Sequence, residues 1–426
     1  MNKVAQIRMI PINDLKLAEY NPRKKLKPTD REYRELKKSI EEHGFAESIV
    51  VNKDLTVIGG HQRIHIAKRL GYTELPCTVM DLDKPHEKAL NIALNKINGF
   101  WDEEKLAELI GELDQERFDF ACIGFNAPEV SELFNRVYDV SIRRERDEEL
   151  YVPYDYRPIS RLGDIWELGR HRIICGDATE WRYYLKLLEN TKVDLVCVDS
   201  PYFVNYHNRE TGGITNDNLT LDCATAFLRD TYTNLFKCMK DDATIYTFYA
   251  TTRSALFFSE FVRAGFRVGG VPVWVKDKVK PNQLGFNFKY EPIIFGWKEE
   301  GSHHWYGSLS DTNVLEYPTI RNSARDGYGH PTSKPLQLIA YLIRMSSRQN
   351  CTVADTFLGS GTTLIACEQL NRKCYGMEIE PRFVDLCCRR YISFKESNHD
   401  VYLIRDGKRY SWLQANLLPK EEAGHE

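Results

Sequence analysis

The chain has no run approaching the roughly 18–20 consecutive apolar residues that a membrane span needs, and no apolar h-region at its N-terminus. A membrane protein and a secreted one are therefore not expected. Its 11 cysteines are odd in number, scattered, and form no Cys-x-x-Cys pair. That speaks against a disulfide frame and a zinc ribbon, and for reduced thiols in a cytoplasmic protein. His303-His304 lacks a third ligand at a useful spacing, so no metal site is expected. Charge of one sign is also missing: 58 basic residues face 61 acidic ones, net −3. Such a balance excludes a generic polyanion binder and confines any nucleic-acid contact to a local patch.

What is present is ordinary bulk and unusual detail. With 426 residues, 42% hydrophobic and 28% charged, the chain is long enough for two or more domains with a sizeable core. The detail begins at Val193-Asp-Leu-Val-Cys-Val198, an apolar run that reads as a buried strand of a parallel sheet. It ends in Asp199-Ser-Pro-Tyr202. Open α/β sheets bind ligands just beyond the carboxyl ends of their strands. There Asp199 can accept one hydrogen of an NH2 group. The Ser200 carbonyl, held by the fixed φ of Pro201, can accept the other. Tyr202 can stack on a flat ring.

Upstream, residues 1–85 read as a compact α/β module. A strand near Ala5–Ile10 is followed by Asn21-Pro-Arg23 and the basic Lys24, Lys25 and Lys27. A helix over Asp30–His43 stops at Gly44; strands over Ser48–Asn52 and from Thr56 lead to Gly59-Gly-His-Gln-Arg63. A helix over Ile64–Leu70 and a strand over Leu75–Asp81 complete it. The amides of the glycine turn, with Gly60, and the Arg63 guanidinium could bind an anion such as a phosphate; a plain turn and helix cap is the alternative. Residues 86–140 have helical spacing. Residues 141–158 combine the mixed-charge run Arg143–Glu149 with Pro153 and Pro158, and read as a linker.

A second domain is expected over 159–395, with a tail over 396–426. His171–Asp177 reads as a strand with Asp177 just past its end, Leu221–Met239 and Ser254–Ala264 as helices, and Ala243–Tyr249 and Phe266–Val275 as strands. Between Arg263 and Lys289 six basic residues face one acid, Asp277, and aromatics interleave: Phe286, Phe288, Tyr290, Trp297, Trp305 and Tyr306. That suits a surface for phosphates and bases; a solvated edge over core aromatics is the alternative. The last block is a βαβ unit: strand Cys351–Asp355, tight loop Thr356-Phe-Leu-Gly-Ser-Gly361, helix from Thr362, strand Lys373–Glu378. Glu378 is placed where an acid binds ribose hydroxyls. The third glycine of a dinucleotide fingerprint is missing. This disfavours NAD and favours a smaller adenosine ligand, whose amino-acid tail Lys334 could meet. An adenosine with such a tail and a transferable methyl is S-adenosylmethionine.

Three blocks together carry a resemblance. Asp199-Ser-Pro-Tyr202, His330-Pro-Thr-Ser-Lys-Pro335 and Asp355-Thr-Phe-Leu-Gly-Ser-Gly-Thr-Thr363 resemble, in that order, the motifs of β-class amino DNA methyltransferases. Tyr290-Glu-Pro-Ile-Ile-Phe-Gly-Trp297 is similar to a segment of modification methylases. The first 85 residues resemble a ParB-like (ParB/sulfiredoxin) domain. Two positions depart from the pattern, Ser200 and Thr356, where the family has proline. The resemblance implies a Rossmann-like S-adenosylmethionine-dependent domain behind a smaller α/β ParB-like domain, with target recognition within 203–329. It implies catalysis by Asp199, Ser200, Pro201 and Tyr202. It implies cofactor binding by Asp177, Thr332, Lys334, Asp355, Phe357, Gly359, Gly361, Thr362 and Glu378. It implies double-stranded DNA with the base flipped as partner, and a nucleotide or nucleic acid at Gly60 and Arg63. A homodimer, a nucleoid location and a restriction-modification setting fit the same picture. Adenine N6 is favoured over cytosine N4 because the catalytic motif opens with Asp; a non-catalytic ParB-like binder with a decayed methylase is the remaining alternative.

Overall fold

The computed structural model describes residues 6–96, 101–115, 120–125, 129–130, 133, 156–205, 207–208, 212–213, 215–280, 285–307, 311–319 and 334–419. The chain divides into two compact units, Met1–Asp139 and Val140–Glu426.

In the first unit a five-stranded sheet runs in the order Gln6–Pro11, Glu74–Met80, Ile49–Asn52, Thr56–Gly59, Lys16–Leu17. Ile49, Val51, Val57, Leu75 and Cys77 are fully buried in it. The helix expected from Ile64 starts earlier, at His61. Gly60 caps it in the left-handed region at φ +97°, and a Cβ there would meet Ile49 Cδ1 at 2.6 Å. Only glycine fits both the angle and the space. Beyond the sheet, helices Lys84–Asn95 and Glu103–Gln115 pack through Ala89, Ile92, Leu106 and Ile110. Asp83 caps the first of them by accepting from the His86 amide at 3.0 Å. The Arg143–Glu149 run and Pro153 lie outside the described residues.

The second unit is built on one large sheet. Its centre is parallel: Met239–Phe248, Val193–Val198, Thr352–Asp355, Lys373–Glu378 and His171–Cys175 lie side by side. The inward positions of these strands are mainly apolar because both faces are covered, and their charged residues gather toward the strand ends. On one face Leu195, Val353 and Cys374 pack with Leu338, Ile343 and Leu364; on the other Val196, Ala354 and Met377 pack with Tyr184, Leu228 and Leu235.

Two expectations change at the edges. Phe266–Val275, read as one strand, is two: Phe266–Gly270 and Val273–Lys280, each antiparallel to a different part of Phe288–Lys298. Pro272 sits at the break, where a residue without an N–H cannot continue the ladder. Residues 396–426, read as a tail, instead add strands. Val401–Arg405 pairs with Ile165–Leu168 and with Lys408–Ser411, burying Val401 and Leu403. Asp406 and Gly407 both have positive φ, 51° and 72°. That Asp-Gly turn between apolar alternation is a hairpin signal the sequence contains.

Candidate active site

Val193–Val198 and Thr352–Asp355 are parallel neighbours, with Leu195 opposite Val353 and Val196 opposite Ala354. The first strand has Met239–Phe248 on its far side, the second Lys373–Glu378. The chain thus leaves the two central strands in opposite directions, and their carboxyl ends border a crevice at the switch point of the sheet. The turn at Asp199 and the glycine loop at Gly359 meet there, though remote in the chain.

A cavity of about 600 Å³ opens at this edge. Asp177, Asp199, Ser200, Pro201, Tyr202, Lys334, Asp355, Phe357, Gly359, Thr362 and Glu378 all line it. Gly361 does not. It caps the helix Thr362–Gln369 at φ +87°, where a Cβ would come within 2.9 Å of Cys387 Sγ. Its role is to let the loop turn against the Pro381–Lys395 helix. Thr332, expected here, lies outside the described residues.

The centre of the site is a charged cluster. Asp199 Oδ1 accepts from the Tyr202 hydroxyl at 2.8 Å, and Asp199 Oδ2 pairs with Lys334 Nζ. The expected partner of Lys334 is a cofactor carboxylate; here its ammonium lies on Asp199 and 3.4 Å from Glu291 Oε2. The Tyr202 hydroxyl is also 3.1 Å from Glu291 Oε2, and Lys276 pairs with Glu291 Oε1. Burial lifts the Asp199 carboxyl, and Lys334 opposes the lift. Burial also acts to lower Lys334, but Asp199 and Glu291 outweigh it and hold the ammonium above its ordinary range. Glu291 is pulled the other way from Asp199: burial raises it, yet Lys334 and Lys276 together bring it down to about 2.

The glycine loop is shaped by two further carboxyls. Asp355 accepts from the Phe357 amide at 3.0 Å and from the Thr363 hydroxyl at 2.6 Å. Glu378 accepts from the Gly359 amide at 2.7 Å and the Glu380 amide at 2.9 Å. Glu378 therefore ties the loop to the neighbouring strand as well as lining the cavity. Burial pushes each of these carboxyls up to about 7. Asp177 holds its own turn, accepting from both the amide and the hydroxyl of Thr179 at 2.8 Å. Ser200 is buried, and its hydroxyl has no partner among the described residues.

Reasoning from spacing misses Glu291, Lys276 and a clamp behind Tyr202. Phe203 has a positive φ of 57°, costly for a residue with a Cβ. Asp217 accepts from its amide at 2.7 Å, and Arg253 donates to its carbonyl at 2.8 Å. Glu291 falls in the Tyr290–Trp297 segment and Asp217 in the polar loop after Tyr202, so the sequence marks both stretches without marking the residue. The interleaved aromatics divide: Tyr306 is core, Trp297 stacks on His303, Phe286 is exposed, and Phe288 and Tyr290, each partly exposed, line the cavity.

In the N-terminal unit, Arg63 pairs with Glu47 at 3.0 Å and donates to its carbonyl at 2.8 Å. Gln62 bridges the Lys24 carbonyl and the Leu26 amide, tying the basic run to the glycine turn.

Residues 193–389 match the family model for DNA methylase, residues 1–96 that for the ParB N-terminal domain, and residues 104–162 that for the ParB-methyltransferase HTH domain. This chain carries an N6/N4 DNA methylase domain behind a ParB N-terminal domain. It is 24% identical over 237 residues to the Type II methyltransferase M.HpaI of Haemophilus parainfluenzae, spanning 51% of this chain and 73% of that one. It is 25% identical over 224 residues to the putative methylase YubD of Escherichia coli (strain K12), spanning 49% and 84%. Among solved structures it is similar to the M1.HpyAVI–SAM complex, at 22% identity and a TM-score of 0.39, over 51% of this chain and 98% of that one.

The lining of the site fits S-adenosylmethionine, the cofactor expected from the residues. The cavity has the volume of a small-molecule site. The buried carboxyls of Asp355 and Glu378 and the half-buried one of Asp199 line it and suit a ligand carrying a sulfonium. Phe357, Ile379 and Phe383 supply apolar wall. The helical region expected over 86–140 overlaps the helix-turn-helix match.

Proposed function

We propose that this protein methylates the exocyclic N6 of an adenine flipped out of double-stranded DNA at a specific sequence. One observation supports it above others: the Asp199-Ser-Pro-Tyr202 turn and the Gly359 loop border one cavity at the carboxyl ends of adjacent parallel strands. S-adenosylmethionine, when bound, supplies an electrophilic methyl. The chain's own residues do the rest. The amino nitrogen of adenine is a poor nucleophile because its lone pair is delocalised into the ring. Asp199 and the Ser200 carbonyl accept its two hydrogens and draw the nitrogen toward tetrahedral geometry, and as the nitrogen takes the methyl one of those hydrogens leaves as a proton by way of Asp199. Holding both reactants in contact supplies much of the acceleration. Pro201 keeps the carbonyl aimed, and Tyr202 stacks on the extruded base. Lys334 and Thr332 serve the methionine end of the cofactor, Phe357 and Gly359 its middle, Glu378 the ribose and Asp177 the adenine ring. Asp355, Thr362 and Gly361 maintain the loop.

The ParB-like domain adds a nucleotide or nucleic-acid contact at Gly60 and Arg63, and a homodimer is the assembly we favour. An opening Asp in the catalytic motif supports adenine over cytosine. Mass analysis of nucleosides from DNA methylated by the protein tests this: N6-methyladenine is expected, and N4-methylcytosine as sole product would overturn the base assignment. Asp199→Ala should fold, bind cofactor and lose about 10²–10³ in methyl transfer, since one aimed acceptor is gone.

A further inference from the structure

We propose that Glu291 is a positioning residue that takes both resting partners of Asp199 when the target base enters. The inference rests on the reading of Asp199 as the acceptor for the amino group. In this structure neither oxygen of Asp199 is idle: the Tyr202 hydroxyl donates to Oδ1 at 2.8 Å and the Lys334 ammonium lies on Oδ2. A carboxylate neutralised by an ammonium is a weaker acceptor for a neutral NH2 group, and that ammonium would sit beside a cationic methyl donor. Both partners must shift for Asp199 to work at full strength.

The geometry offers them one destination. Glu291 Oε2 is 3.1 Å from the Tyr202 hydroxyl and 3.4 Å from Lys334 Nζ. A small rotation of each side chain exchanges the acceptor without moving the backbone. Lys276 on Oε1 keeps Glu291 in place. The charges close as well. Asp199 and Glu291 balance Lys334 and Lys276, so the cluster is neutral before and after the exchange. Lys334 is only 6% exposed, so water cannot readily replace the second carboxylate. Lys334 has three N–H donors and can hold Glu291 and the methionine end of the cofactor at once; without Glu291, Asp199 is the one protein carboxylate left to it among the described residues, and the ammonium stays there.

The test uses the full chain with Glu291→Gln and Glu291→Asp, measuring kcat on DNA, cofactor affinity by calorimetry, and Asp199→Ala alongside. The exchange predicts a kcat order of wild type, then Glu291→Asp, then Glu291→Gln, with the last down about tenfold or more while cofactor affinity stays within about threefold. Glu291→Asp keeps the charge with a shorter reach, so it carries the test should the amide variant not fold. A purely structural role would lower kcat and cofactor affinity together, and that result would overturn the proposal. So would Glu291→Gln turning over within about twofold of wild type. An inactive Asp199→Ala beside a normal Glu291→Gln removes the exchange alone; an active Asp199→Ala removes the proposed function itself.

Discussion

Asp355 and Glu378 are acids held at about 7 by burial on the wall of the cavity that we assign to a sulfonium cofactor. Their protonated forms cannot attract a sulfonium; their ionised forms can. Cofactor affinity should therefore rise between about pH 6 and about pH 8, with proton release on binding at the lower end. Calorimetry in buffers of different ionisation enthalpy reads both, and a flat profile would refute the assignment. The same groups retain protons in the folded state that the unfolded chain loses above its ordinary carboxyl range. Their contribution to folding stability therefore falls as pH rises from about 4 to about 7. Asp199, Lys334, Gly359 and Glu378 are legible in the sequence because each sits inside a motif whose chemistry demands that residue type. Glu291 is not: its partner Tyr202 is 89 residues away, and no local spacing reports a contact across that distance.

At the scale of elements, the loop after Thr352–Asp355 depends on a left-handed residue packed against a neighbouring helix. Gly361→Ala should cost about 1–3 kcal/mol, because the new Cβ meets Cys387 at a strained φ; thermal unfolding measures it. The C-terminal hairpin is the second case. Deleting residues 397–426 would expose one edge of the sheet and the apolar surface around Trp166, Val401 and Leu403. At roughly 1.5–3 kcal/mol for each large buried side chain, the destabilisation should be several kcal/mol, seen as a lower denaturation midpoint; an unchanged midpoint would mean the hairpin is not integral. The turn of the hairpin, Asp406-Gly407, is legible in the residues; its strands are less so because they are short and half-polar. The split at Pro272 is hard to read because both halves remain β-like in composition.

At the scale of the whole molecule, a net charge of −3 leaves DNA affinity to local cations. Lys278 and Lys289 are exposed, on the same stretch as the exposed Phe286 and the cavity-lining Phe288 and Tyr290. Replacing either by Ala should weaken DNA binding and make the dependence of log K on log salt shallower by about 0.9 for each phosphate that is no longer neutralised. Fluorescence anisotropy across a salt series measures the slope, and an unchanged slope would put the DNA elsewhere. Lys276 belongs to the same basic run but answers to Glu291 inside the site, a division that composition does not show.

By themselves the residues determined the parallel centre of the sheet and the two turns that meet at the cavity. Short apolar runs and glycine or proline turns are local features, and local sterics are written in order along the chain. Tertiary structure alone decided which carboxylate holds Lys334, which strand closes the sheet edge, and which aromatics are core. Those outcomes depend on burial and on contacts between distant segments, and a buried charge settles beside whichever opposite charge folding brings within reach.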